Sequence, residues 1–417
     1  MRALWLVRPD LGRVPGGDTT QIRETAEELR RIGVSVVLSS ETQPTVGQFD
    51  IVHLFHLSRV WENARWCRLL QAGGTPAVLS PIFWPTDEFD RLGRTGLRGL
   101  LARCVGTSSY QSLRAMHGAT LGALRQWDHR ALLGSELRFE RGAQFILASV
   151  DALLPNSHPE AAEILGRFDV RCPVVVVPNG VHPVVPPTLG GDSELPREGI
   201  ICVGRIEPRK NQLRLIRALR DVDVPLSIVG RAGRLSSWYE FQCRREAGPQ
   251  VRFLGQCTQA QLARLYRSSR VHVNTSWYET PGLASLEAAA RGCSIVVTPG
   301  GSTREYFGHH AYYCEPNDPT SIRDAVERAL ASPPDDLLAK RINARFTWEE
   351  AARGTLRAYE LALERRDILA ATSSVEIRKS AAAGRPRAGL HRRVMGWLGR
   401  SGRREIFEPS RRPGTPR

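Results

Sequence analysis

Short apolar runs recur along the first half of the chain at 3–7, 34–38, 51–57, 77–82, 152–154 and 174–177, separated by helical or irregular stretches. This alternation predicts a parallel sheet with crossover connections. Proline and glycine then crowd 183–198, including Pro186-Pro187 and Gly190-Gly191, and mark a linker. A second series of runs follows at 199–203, 226–229, 251–254, 271–274, 294–297 and 311–314. The expected fold is therefore α/β, with two Rossmann-like domains over 1–183 and 199–371 joined by a linker at 184–198. A helical pattern runs over 348–366. From 372 to 417 the chain turns basic and rich in Ala, Gly, Pro and Ser, and is expected to be mostly disordered apart from the region of Leu390.

The densest chemistry lies after the run at 271–275. Glu279 and Glu287 flank a turn marked by Pro281 and Gly282, and helical spacing begins at Leu283 and continues through Leu286 to Ala290. Two carboxylates thus share a small volume with a helix N-terminus. Carboxylates accept hydrogen bonds from hydroxyls, and the free N–H groups of Gly282, Leu283 and Ala284 suit an anion. Read alone, either glutamate would be an ordinary residue of a surface turn or helix. Upstream, the strand 199–204 ends in Gly204 and is followed by Arg205 through Lys210, then by a helix over 211–220. Those cations fall at the carboxyl end of a strand, where open α/β sheets bind ligands, and Gly204 allows close approach. Arg205 can fork onto a phosphate, and Lys210 can act as a mobile point charge.

Together these residues resemble the retaining glycosyltransferases of family 4, which use nucleotide-sugar donors and have the two-domain GT-B fold. The likeness spans most of 1–370. Its strongest stretches are Val203-Gly204-Arg205 through Lys210-Asn211-Gln212, the segment from Glu279 to Glu287, and Gly300-Gly301-Ser302-Thr303-Arg304-Glu305-Tyr306-Phe307. Weaker ones are Gly16-Gly17-Asp18-Thr19, Leu153-Leu154-Pro155-Asn156-Ser157 and Val177-Pro178-Asn179-Gly180-Val181. The resemblance implies two domains facing across a cleft, the first on the acceptor side and the second binding the donor. It implies catalytic roles for Arg205, Lys210 and Glu279, with Glu279 holding sugar hydroxyls. Gly16, Gly17, Gly204, Gly282, Leu283, Ala284 and Glu287 would line the donor, Glu287 at the ribose. The helix at 348–366 would close the second domain and lean back on the first.

The chain departs from the family at one place. Many members carry a His just after the fourth strand, whereas this sequence reads Ser80-Pro81-Ile82-Phe83-Trp84-Pro85. The catalytic group of the first domain is thus unassigned; His53 and His56, in the preceding strand segment, belong to the core or the rim. Asp18 with Gln21, and Ser302 with Glu305, have capping-box spacing. The Asp221-Val222-Asp223 triplet precedes a strand and so falls at the amino end of the sheet. No metal and no cofactor is expected; Arg205, Lys210 and the helix N-terminus are the counter-charges for a diphosphate.

A net charge of +15 over 417 residues predicts an anionic partner. Arg91, Arg94 and Arg98 would share one face of a helix and Leu97, Leu100, Leu101 and Cys104 another. In the tail, Leu390, Val394, Trp397 and Leu398 lie beside Arg392, Arg393, Arg400, Arg403 and Arg404. Both patterns suit an anionic membrane surface. Nucleic acid is not expected as a partner, because no recognisable binding motif accompanies the charge. The scattered cysteines form no Cys-x-x-Cys, the N-terminus reads as a first strand, and no apolar run approaches the roughly 20 residues of a membrane span. The expected location is cytoplasmic, peripheral at the inner membrane face. The expected activity is transfer of a sugar from a nucleoside-diphosphate donor to a lipid-linked or polysaccharide precursor. A nucleotide-sugar epimerase or a phosphorylase on the same plan is the rival enzyme, and a nucleic-acid-binding protein the rival of another class. A glycoside hydrolase would have no particular use for Arg205 and Lys210.

Overall fold

The computed structural model describes residues 1–94, 96–106, 112–113, 138–184, 197–233, 236–333 and 336–382. Its first half contains β1 (Arg2–Leu6), α1 (Gly17–Arg31), β2 (Ser35–Ser39), β3 (Ile51–Phe55), α2 (Val60–Gly73), β4 (Ala77–Ser80), α3 (Gly96–Val105), α4 (Phe139–Ser149), β5 (Ala152–Leu153) and α5 (His158–Arg167). The strands are parallel in the order β2-β1-β3-β4-β5. Successive side chains face opposite ways. Trp5, Ile51, Phe55 and Val78 pack with Ile22, Ala26 and Leu29 of α1. Leu4, Leu6, Val52, Leu54 and Leu79 pack with Ala64 and Leu70 of α2 and Ile146 of α4. Burial on both faces is why these strands read as unbroken apolar runs.

The second half contains β6 (Ile200–Val203), α6 (Gln212–Ala218), β7 (Leu226–Val229), α7 (Ser237–Glu246), β8 (Val251–Gly255), α8 (Gln259–Ser268), β9 (Val271–Asn274), α9 (Leu283–Ala290), β10 (Ser294–Val297), α10 (Thr303–Phe307), β11 (Tyr312–Tyr313), α11 (Pro319–Ala331), α12 (Asp336–Arg345) and α13 (Trp348–Ala382). Its strands are parallel in the order β11-β10-β9-β6-β7-β8. In both sheets the chain winds one way and then reverses, between β1 and β3 in the first and between β6 and β9 in the second. Ligands of open α/β sheets bind at the carboxyl ends of the strands at such switch points.

Residues Met1–Ala362 pack as one compact unit. Within it, Val181 pairs with Thr347 where the chain crosses between the sheets. Gly180 is required there, since a Cβ would lie 2.1 Å from the Thr347 carbonyl carbon. Tyr359 of α13 is buried against the first sheet, where its hydroxyl accepts from Trp5 Nε1 at 2.7 Å and meets His53 Nδ1 at 2.9 Å. The unit beginning at Leu363 carries the remainder of α13.

The structure departs from the sequence reading at three places. The run at 174–177 adds no named strand; Val174 makes only an isolated bridge to Leu153, because Pro155 and Pro173 have no N–H to give a ladder. The basic amphipathic helix expected over 91–104 is broken. A π-type turn closes at Phe89–Gly93, Arg94 is extended, and α3 starts afresh at Gly96. Buried Asp90 captures Arg94 at 2.7 Å, and Gly93 lies so close to Trp277 that a Cβ would be 2.3 Å from the indole. Finally, the chain does not lose structure near Thr372, since α13 runs to Ala382 through a stretch holding the strong helix formers Ala370, Ala371, Ala381 and Ala382. The basic tail beyond, with the stripe around Leu390, lies outside the described residues. Among the described residues no helix is long and apolar enough to cross a membrane.

Candidate active site

The loops leaving β6 and β9 meet at the second sheet's switch point. After β6, Gly204 adopts φ 154° and leaves room for the Lys210 side chain to fold back over it, with Lys210 Cε 3.5 Å from where a Cβ would be. Lys210 ends a single 3₁₀ turn, Pro208–Lys210. The next residue, Asn211, is left-handed and anchored by donation from Nδ2 to Pro316 O at 2.6 Å. These constraints aim the ammonium at Glu279, with which it forms an ion pair. Glu279 is buried and also accepts from Asn274 Nδ2 at 3.2 Å. Arg209 completes the cluster with Nη1 3.9 Å from Glu279 and 3.2 Å from Tyr278 O, its guanidinium 5.3 Å from the Tyr278 ring centre.

The electrostatics fix the protonation of this cluster. Burial alone would raise the Glu279 carboxyl, but the charges of Lys210 and Arg209 and hydrogen bonds from Lys210 and Ser276 hold it down at about 2. Glu279 is thus a permanent hydrogen-bond acceptor at neutral pH, with no proton to donate. Burial lowers the Lys210 ammonium, against the pull of Glu279. Arg209 stays charged: burial opposes its charge, but Glu279, Tyr278 and Glu207 more than compensate and raise it.

The backbone of Glu279 is clamped as firmly as its side chain. Its N–H donates to Gly300 O at 3.1 Å, and its carbonyl accepts from Ser302 N at 2.8 Å. Gly301 has φ 95° and a Cβ there would lie 1.9 Å from Glu279 O. The capping box expected for Ser302 and Glu305 does not form, since both side chains are used by the first half of the chain. Ser302 Oγ meets Ser157 Oγ at 2.6 Å, and Glu305 Oε2 accepts from His158 N at 2.8 Å.

Gly282, left-handed at φ 70°, caps α9 and lies against Glu279, whose Cγ is 3.7 Å from where a Gly282 Cβ would be. The leading amides of the helix, at Leu283 and Ala284, have no carbonyl in the preceding turn to donate to and are directed outward. Across from them is the glycine loop that follows β1, with Leu283 Cδ1 3.6 Å from where a Gly17 Cβ would be. Gly16 is extended and starts α1, its N–H donating to Thr19 Oγ1 at 3.1 Å. Helix α1 therefore begins earlier than the Asp18–Gln21 spacing predicts. Asp18 lies inside the first turn, bound to Arg8 Nε at 2.6 Å and His56 Nε2 at 3.1 Å, while Gln21 Nε2 donates to Asn156 Oδ1 at 3.0 Å.

The structure therefore joins Gly204, Lys210, Glu279, Gly282 and Leu283 in one locus, with Gly17 against it. It does not bring Arg205 to Lys210 or Glu279; that side chain is half-exposed, 3.7 Å from Glu207. Glu287 is half-buried one helical turn beyond Leu283, takes a long contact of 3.5 Å from Tyr266 Oη, and is raised by its burial. His53 belongs to the core, bonded to Tyr359 and to Ser80 Oγ at 2.9 Å, and burial lowers it to about 3. Sequence reading passed over Arg209 and Asn274, although the pairing of Arg209 with Lys210 signalled the former. Asp221 precedes β7 and pairs with Arg323 at 3.2 Å, away from the cluster. Among the described residues no group of three or more His, Cys, Asp or Glu is placed to hold a metal ion.

Residues 193–348 match the family of Glycosyl transferases group 1. That stretch holds β6 to α12, the elements that carry Lys210, Glu279 and the start of α9. The chain is 27% identical to D-inositol 3-phosphate glycosyltransferase 1 of Catenulispora acidiphila over 71% of its own length and 75% of that protein. It is 30% identical to an uncharacterized glycosyltransferase of Methanocaldococcus jannaschii over 40% of its own length, and spans 45% of that relative. Its structure aligns with that of the Anabaena protein HepE in complex with UDP-glucose at a TM-score of 0.56 and 15% identity, covering 90% of this chain and all of that one. The two sheets are those of the GT-B fold.

Proposed function

We propose that the protein is a retaining glycosyltransferase of the family 4 type, moving a sugar from a nucleoside-diphosphate donor to a glycan or lipid-linked precursor. The observation that carries this reading is the meeting of Lys210, Glu279 and the start of α9 at the switch point of the second sheet. As the glycosidic bond to phosphate breaks, negative charge grows on the leaving diphosphate and positive charge on the anomeric carbon. Lys210, Arg205 and the amides of Gly282, Leu283 and Ala284 oppose the first. Glu279, fixed as a carboxylate, accepts the sugar hydroxyls and faces the second. Glu287 takes the ribose hydroxyls. No cofactor or bound metal enters this scheme. A solved GT-B neighbour in complex with UDP-glucose supports a nucleotide-sugar donor.

In this reading residues 1–183 present the acceptor and 199–371 hold the donor. The net charge of +15 favours work at the anionic cytoplasmic face of a membrane. The test is a thermal-shift panel of UDP-, GDP- and ADP-sugars against the wild type and the Arg205→Ala, Lys210→Ala and Glu287→Ala variants. Stabilisation by one donor, lost in the variants, is expected, as is donor consumption only when an acceptor or water is present. Identical shifts in all four proteins would remove the reading. Isomerisation of the donor alone would make the enzyme an epimerase.

A further inference from the structure

Lys210 and Arg209 reach the same oxygen of Glu279, Oε1, but they are held in different ways. Arg209 is anchored at several points. Its Nε and Nη2 lie 3.2 and 3.1 Å from Glu207 Oε1, Nη1 donates to Tyr278 O at 3.2 Å, and the guanidinium lies over the Tyr278 ring. Its carbonyl accepts from Trp277 N at 3.0 Å, which ties the turn after β6 to the loop after β9. Trp277 is itself fixed, buried with its indole against Gly93 of the first half and with Arg214 5.2 Å from its ring centre. Lys210 Nζ, by contrast, has Glu279 as its one hydrogen-bond partner among the described residues. It ends a flexible four-carbon stem, and Gly204 leaves that stem room to move.

A single ammonium carries one charge. When the diphosphate of a donor draws it, that charge is withdrawn from Glu279, even if the three N–H groups bridge both anions. A carboxylate buried without a counter-charge is costly and takes up a proton instead. Protonated, Glu279 would lose its strength as an acceptor for sugar hydroxyls and its charge toward the anomeric carbon. The groups packed around it leave one source of compensation. Burial pushes Cys202 on β6 up to about 12 and lowers His272 on β9 to about 3, so neither is charged near neutrality. Asn274 is a neutral donor at 3.2 Å. Arg205 meets Glu207 at 3.7 Å rather than Glu279, and Glu207 itself adds negative charge on the far side of Arg209. Arg209 is the cation that stays, 3.9 Å from Oε1.

We propose that the Lys210–Glu279 ion pair is a contact that the donor's diphosphate exchanges, and that Arg209 is the positioning residue that keeps Glu279 a carboxylate once Lys210 has turned to the phosphate. This rests on the transferase reading above. The diphosphate takes the ammonium, the sugar hydroxyls take the carboxylate, and no covalent bond changes. Arg209 touches neither; it acts through Glu279 and through the two loops that it joins.

The test uses the full chain. UDP, GDP and ADP are titrated by calorimetry near neutral pH, and the one that binds the wild type most tightly is carried forward. Proton uptake on binding is read by repeating the titration in buffers of different ionisation enthalpy. Arg209→Gln is expected to weaken binding at least about tenfold, because opening the pair now strands a buried carboxylate. It should also take up more protons than the wild type, with affinity recovering as the pH is lowered. Adding Glu279→Gln should remove both effects, since no carboxylate is left to strand. Glu279→Gln alone should bind the nucleotide more tightly than the wild type, having no pair to open. Arg209→Lys keeps the charge without the fork, and should recover most of the lost affinity with no extra uptake. Melting curves report whether each variant folds; Glu279→Gln and Arg209→Lys carry the test if Arg209→Gln does not. If none of the three nucleotides binds the wild type, the donor reading fails and this proposal with it. The role of Arg209 alone is overturned if the nucleotide binds and Arg209→Gln matches the wild type, or if its loss persists when Glu279→Gln is added. It is overturned equally if Glu279→Gln alone binds no more tightly, or if Arg209→Lys takes up extra protons.

Discussion

Lys210 and Glu279 make each other's burial tolerable, and this mutual dependence is measurable. Lys210→Ala would leave Glu279 buried with only the more distant charge of Arg209, 3.9 Å away. Breaking a buried ion pair on one side costs about 3–5 kcal/mol, so a loss toward the low end of that range is expected in urea denaturation. The Lys210→Met, Glu279→Gln double variant should recover much of it, since no unpaired charge remains. The pH dependence has a definite sign. The Glu279 carboxyl is at about 2 in the fold against an ordinary 4.5, so its stabilisation is full above 4.5 and is lost as pH falls toward 2. Glu160 behaves oppositely. It is fully buried on α5, where burial raises it to about 7 although Phe83 N at 2.6 Å and Asn156 N at 2.7 Å donate to it. Its contribution is full below 4.5 and fades as pH rises through 7. Denaturation midpoints at pH 5 and 8 should therefore converge more in Glu160→Gln than in wild type; equal differences would refute the assignment. Of this chemistry, Glu279 and Lys210 were legible because their spacing from strand ends was. The pairing between them was not, since it depends on the left-handed turn at Asn211.

At the scale of elements, two glycines set the geometry. Gly301→Ala must push the Glu279 carbonyl away from 1.9 Å. It should weaken nucleotide-sugar binding at least tenfold, with a smaller loss of melting temperature. Gly180→Ala strikes the crossing at Thr347 and should do the reverse, lowering the melting temperature before it affects affinity. Parallel melting and calorimetry separate the two. The strands 226–229, 271–274 and 294–297 could be read from the sequence to the residue, because apolar runs buried on both faces end where the chain leaves the sheet. The helix expected over 91–104 could not, because Trp277 and Asp90 interrupt it and neither is encoded in its own periodicity. The two expected capping boxes failed for a similar reason. Asp18, Ser302 and Glu305 had the right spacing, but distant partners held them more strongly than their own helix ends.

At the scale of the whole molecule, one apolar cluster runs from Trp5 and Ile22 through Leu286 and Tyr306 to Tyr359, so the two sheets share a core. Tyr359 sits at the first-sheet end of it. Its hydroxyl accepts from Trp5 Nε1 and shares a hydrogen bond with His53 Nδ1, whose Nε2 in turn meets Ser80 Oγ. Tyr359→Phe would orphan two buried groups at a cost of about 1–3 kcal/mol each, and a single cooperative loss in thermal melting is expected rather than separate melting of the two halves. The GT-B plan was visible in the two alternating series and their glycine-ended strands. The closeness of Gly17 to Leu283 was not, because no local pattern records which loops of two sheets face one another. The central claim is that a sugar-linked diphosphate is held by Lys210 and the leading amides of α9. It is tested most directly by the crystal structure of the protein soaked with the nucleoside diphosphate that binds it. Phosphate density within hydrogen-bond distance of Lys210 Nζ and of the Leu283 and Ala284 amides is the expected result; phosphates bound elsewhere, with the Lys210–Glu279 pair undisturbed, would contradict it.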